Sequence, residues 1–254
     1  MKPKSKFTWY RHAFVALTIL LLPGVIDSAL AAADCGASTC DICVGAFSTH
    51  TVSGSETANC VEVEAGGLVK INPHGRLTLT GPGPSCVDGD VLLKGNASLL
   101  AFTTNSHTVT GTGKIVGQSN SAQIVIDGVT LTSEIDITGR LHMKDGVATG
   151  TFQNDGCVTA NAPNGALNIE VTGIDDTAGA CWRVIATGAA LRFVVEPAFL
   201  DGDFTITGGA LIAGTDAGAG LDDIDVCTSG DLTHSGGQIV AGNNDSFCFN
   251  CTCP

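Results

Sequence analysis

The residues with the clearest chemical potential are three cations on alternate positions, Arg140, His142 and Lys144. In a strand, a spacing of two puts all three side chains on one face. Such a row could hold an anion, and His142 or Lys144 could take up a proton. The competing reading is a solvated strand face whose charges balance Glu134 and Asp136. A second candidate is the acidic stretch with Asp216, Asp222, Asp223 and Asp225. Calcium is the cofactor it could take, because hard cations collect carboxylate oxygens from flexible loops. The spacing departs from the twelve-residue calcium loop, and a solvated loop explains the same residues. The histidines after residue 33 (His50, His74, His107, His142 and His234) show no ligand spacing. No Gly-x-Ser-x-Gly, His-Glu-x-x-His or phosphate-loop motif occurs. Paired carboxylates for glycoside hydrolysis could come from many acids, but sequence does not show which ones converge. Trp182, beside Cys181, is the one Trp left after the N-terminal segment, and it is expected to pack at a disulfide.

These groups sit in a chain built for export. Lys2, Lys4, Lys6 and Arg11 precede the apolar run from Ala13 to Leu22, and small residues follow up to Ala33. A basic head, a short apolar core and an A-x-A site form the secretory pattern. Residues 1–33 are therefore read as a signal peptide, and the location as extracellular or cell-surface, with the periplasm as an alternative. Asp34 before Cys35 argues against a lipid anchor, and no segment after residue 33 is apolar for long enough to span a bilayer. Removing residues 1–31 takes away four basic residues and Asp27, leaving 8 Lys+Arg against 24 Asp+Glu, a net charge of −16. Nucleic acid is an unsuitable partner for such a chain, since phosphate binding needs clustered cations.

All 11 cysteines follow the signal segment, where export favours disulfides. Cys35, Cys40, Cys43 and Cys60 cluster near the front, and Cys227, Cys248, Cys251 and Cys253 near the end. The Cys40-x-x-Cys43 and Cys248-x-x-Cys251 pairs also have zinc spacing, but the oxidising compartment works against free thiolates. The odd count leaves one thiol free or pairs it with another chain.

The elements that must position these residues are strands. From Val129 to Lys144 the odd positions are mainly apolar and the even ones polar, the period of a half-buried strand. Shorter copies cover Leu167–Thr172 and Asp203–Thr207. Glycine punctuates the pattern at 75, 95, 113, 139, 165, 188, 209 and 237, giving a loose period in the low twenties. A period of that size without helices indicates a β-solenoid of about eight or nine coils. The fold expected is all-β: a right-handed parallel β-helix, with a signal at 1–33, Cys-rich caps at 34–60 and 227–254, and a solenoid body at 61–226. Caps would protect the open strand edges at the two ends. The alternative is a β-sandwich, for which Asn164-Gly165 and Asp127-Gly128 supply hairpin-type turn pairs.

The run from Asn59 through Cys60-Val-Glu-Val-Glu and Gly75-Arg-Leu-Thr-Leu to Gly81 is followed by glycine-bounded strands. In this it resembles secreted bacterial parallel β-helix proteins. That group includes adhesin or autotransporter passenger-like domains and polysaccharide-processing enzymes. The likeness spans about residues 59–245 and is architectural. It implies contact with an extracellular polysaccharide or a cell-surface component, and it carries over no catalytic residue. The function expected is that of a non-catalytic structural or adhesive solenoid. The alternative is a polysaccharide lyase or glycoside hydrolase, in which the Arg140, His142 and Lys144 row would meet an acidic sugar.

Overall fold

The computed structural model describes residues 40–195, 197, 200–214, 224–242 and 244–252. Regular structure among them is entirely strand, and every strand pairing is parallel. The chain is a β-solenoid of about nine coils. Parallel pairing rules out the sandwich alternative. Asn164, at φ 56°, and Gly128, at φ 68°, turn corners between faces instead of closing hairpins. No helix among the described residues is long and apolar enough to cross a membrane.

Each coil lays down up to three strands. The first face runs from Ile42–Val44 through Val61–Val63, Ser85–Val87, His107–Thr110, Thr130–Ser133 and Thr151–Asn154 to Gly173–Asp176. The second runs from Thr49–Val52 through Leu68–Ile71 and Asp90–Leu93, and later through Cys157–Ala160, Cys181–Val184 and Asp203–Ile206, to Leu232–His234. The third runs from Ser55–Ala58 through Arg76–Leu79 and Leu99–Thr103, and later through Ala166–Glu170, Ala190–Phe193 and Ala210–Ala213, to Gln238–Ala241. In the middle coils the second and third faces are joined without a break, because Lys114–Asp127 and Asp136–Asp145 each bend from one face onto the other. The parallel ladder therefore extends on both sides of residues 60 and 227.

Alternation produces the core directly. Along the second face the inward positions stack as Val69, Val91, Ile115, Ile137, Val158, Trp182, Phe204 and Leu232. Along the third they stack as Leu77, Leu100, Ile124, Met143, Ile169 and Phe193. All of these except Leu232 are buried, and burying one such side chain stabilises by about 1.5–3 kcal/mol. The two stacks begin differently from how they end. In the first coil the members of these two stacks are His50 and Glu56, partners of Val69 and Leu77, and the His50 ring nitrogen lies 3.0 Å from the Glu56 carboxylate.

Equivalent positions on the third face are Arg76, Leu99, Gln123, His142, Asn168, Arg192, Ile212 and Val240. Their separations of 23, 24, 19, 26, 24, 20 and 28 residues explain why the glycine period is loose. Gly113 opens a second-face strand, whereas Gly139, Gly165, Gly188, Gly209 and Gly237 lead onto the third. At the bend of two coils Gly117 and Gly139 are stacked partners. Gly139 has φ +99°, and a Cβ there would lie 2.1 Å from the Gly117 carbonyl oxygen, so neither conformation nor space allows a side chain.

Three disulfides join described residues: Cys40–Cys60, Cys157–Cys181 and Cys248–Cys251. Cys43 and Cys227 are also disulfide-bonded. Cys35 and Cys253 lie outside the described residues. Cys157 and Cys181 are register partners on adjacent coils, with Cα atoms 4.5 Å apart, close to the spacing of neighbouring strands. The bonds suit an oxidising, non-cytoplasmic compartment. Among the described residues Cys86, exposed on the first face, is a free thiol. Partial desolvation of its sulfur, with help from the charges of Asp88 and Glu62, pushes its pKa up.

Candidate contact surface

Arg140, His142 and Lys144 share the strand Asp136–Asp145 and all are half-buried. The strand bends at Gly139, so Arg140 sits at the corner while His142 and Lys144 lie on the third face. The Arg140 stem lies over Gly165, where a Cβ would come within 2.0 Å of its Cγ and Cδ. The expected row of three is therefore a pair with a cation at its edge.

The fold adds residues that no sequence spacing indicates. Asn168 is the register partner of His142, Glu170 of Lys144, and Arg192 of Asn168. Successive coils thus place His142, Asn168 and Arg192 in one outward file. His142 Nε2 lies 2.5 Å from Glu170 Oε2 but is not aligned for a hydrogen bond, so the attraction is one of charge when the imidazole is protonated. Asn168 Oδ1 and Arg192 Nε are buried and make no hydrogen bond. Among the described residues Arg140, Lys144 and Arg192 form no ion pair. In the two files that hold His142 and Lys144, Glu170 is the one acid. On a chain of formal charge −13, this face is neutral to cationic, and its cations keep their charge unspent.

A shallow groove of about 470 Å³ crosses the second face, lined by Lys114, Asp136, Thr138, Thr159, Arg183 and Thr205, among others. Lys114 and Asp136 are register partners, as are Thr138 and Thr159, and Arg183 and Thr205. Its lining includes one carboxylate, Asp136, where glycoside hydrolysis requires two flanking the bond. Of the acidic candidates, Asp216, Asp222 and Asp223 lie outside the described residues. Asp225 accepts a hydrogen bond from the Ser246 hydroxyl at 2.5 Å. Among the described residues no group of three or more His, Cys, Asp or Glu side chains is placed to hold a metal ion.

Two buried polar arrangements escape sequence reasoning. His107 Nε2 lies 2.8 Å from Ser85 Oγ, and its Nδ1 lies 3.1 Å from the Gly81 carbonyl oxygen. Burial lowers the His107 pKa. The neutral ring then donates from Nδ1 to Gly81 and accepts the Ser85 hydroxyl proton at Nε2. Ser85 and His107 are 0% and 2% exposed, so this Ser–His pair meets no substrate and ties coils together. Asp176, also buried, accepts hydrogen bonds from the indole N–H of Trp182 and the backbone N–H groups of Asp201 and Gly202. Trp182 therefore does not pack at the disulfide. It points into the core between Phe193 and Phe204, while the neighbouring Cys181 faces outward, as alternation requires.

No protein-family model, characterised protein or solved structure matches the chain.

Proposed function

We propose that this chain is an exported, non-catalytic β-solenoid whose third face contacts an acidic polysaccharide outside the cytoplasm. The observation that carries the reading is the set of cations that form no ion pair among the described residues, Lys144 and, two coils further on, Arg192, with Arg140 at the corner, on an otherwise acidic molecule. A chain with net charge this negative repels polyanions at long range. A face that gathers free cations and offers one engaged carboxylate is where contact with a linear polyanion is least opposed. Two rungs of strand spacing set Lys144 and Arg192 about 10 Å apart along the solenoid axis, a separation that suits contact with an extended polymer.

The test is binding and turnover of the full chain on polyuronates against neutral glycans. Retention on the polyuronate should weaken as salt rises and fall at least tenfold in the Lys144→Glu, Arg192→Glu double variant. Equal retention by parent and variant removes the third face from the reading. Release of unsaturated or reducing sugar ends replaces it with a polysaccharide lyase or glycoside hydrolase.

A further inference from the structure

The two ends of the solenoid differ in kind. At the N-terminal end the first strands of the second and third faces turn inward His50 and Glu56, a polar pair 3.0 Å apart that can face water, beside the fully covered Val52 and Ala58. At the other end the same faces close on Leu232 and Ile239, which pack on Phe204 and Leu211 but remain partly exposed. Phe247 stacks on Phe249, which meets Phe204 edge to face, and Phe247 and Phe249 are partly exposed too. Among the described residues the strands Leu232–His234, Gln238–Ala241 and Ser246–Cys248 each pair on one side only, which leaves N–H and C=O groups on the other side without a strand partner. Natural sheet edges are normally blunted by Lys, Pro or inward charge. These three strands carry no Lys, Arg, Pro, Asp or Glu, although the chain as a whole has 25 acidic residues.

We propose that the C-terminal edge is a self-association surface, on which a second copy of this chain seats its own C-terminal edge. The charge distribution selects this occupant. Two acidic bodies repel along their sides, and an end whose strands carry no acid, with Asp231 and Asp245 only at their borders, lets them meet with those sides held apart. At the opposite end the apolar inward residues Val52 and Ala58 are buried and the polar His50–Glu56 pair is the part exposed, so stacking closes after two copies and does not grow into a fibre. An isologous contact of this kind has two-fold symmetry.

Sedimentation velocity of the full chain with its disulfides formed should show a monomer–dimer equilibrium and no larger species. Screening of repulsion should tighten it as salt rises, the opposite of polyanion binding on the third face. Ile239→Lys and Thr233→Pro should each weaken dimerisation at least tenfold, while Lys144→Glu should leave it unchanged. Should the edge variants fail to fold, hydrogen exchange of the parent decides: amides in 232–241 should gain protection with concentration. A monomer at all concentrations, open-ended polymer, or exchange independent of concentration overturns the proposal.

Discussion

The indole N–H of Trp182 donates to Oδ2 of Asp176 at 2.6 Å inside the solenoid. Asp176 is 5% exposed, and burial pushes its pKa from about 3.8 up to about 6 against the lowering effect of its three donors. The folded chain then holds this proton more tightly than the unfolded chain. The group contributes stability that is complete below about pH 4 and is lost as pH rises through about 6, on the order of 2–3 kcal/mol. The urea-midpoint difference between the parent and Asp176→Asn should therefore change across pH 4–6.5. A constant difference would show that Asp176 does not titrate there.

His107 acts in the opposite direction. Burial depresses its pKa below the ordinary 6.5, so its contribution is present above pH 6.5 and is lost as pH falls through the lower folded value. The parent should lose stability relative to His107→Gln on going from pH 7.5 to pH 5. Ser85→Ala leaves Nε2 without its donor and should cost about 1–3 kcal/mol at neutral pH. Chemical denaturation at the two pH values checks both.

The Cys157–Cys181 bond closes a 24-residue separation between adjacent coils. Restriction of the unfolded chain by a loop of that size is worth about 3 kcal/mol. The Cys157→Ser, Cys181→Ser double variant should unfold at lower urea by that amount, with the solenoid circular-dichroism signature retained. The Cys248–Cys251 bond spans three residues, and its loss should cost distinctly less.

Gly139→Ala places a Cβ 2.1 Å from the Gly117 carbonyl oxygen at a φ of +99°. Strain of this kind costs about 1–3 kcal/mol before the clash is added. The variant should lose more stability than Gly83→Ala, where a Cβ meets nothing within 4 Å, and thermal melts of the pair make the comparison.

The solenoid was legible in the sequence because alternation and corner glycines are local signals. Leu141 and Met143 had to face inward once His142 and Lys144 faced out, and they are buried. The contact surface was legible only within one strand. Asn168 and Arg192 join His142 through coils 26 and 24 residues long, and corners of variable length erase any fixed spacing. Arg140 was misplaced because the bend at Gly139 interrupts an alternation that continues smoothly in the sequence. The Ser85–His107 and Asp176–Trp182 contacts depend on how the chain crosses the interior, which no periodicity reports. Cys157 and Cys181 lacked the clustering of the terminal cysteines, and only their shared register reveals them as partners.

Coil lengths that vary while the register holds have a further consequence. Whatever the corners contain, side chains in one file recur at the strand spacing, so the molecule behaves as a ruler whose graduations do not depend on how much chain separates them. An insertion at an exposed corner, such as around Val147, should lengthen the loop and leave the graduations in place. Changing the number of coils, by contrast, changes the measured length in steps of one strand.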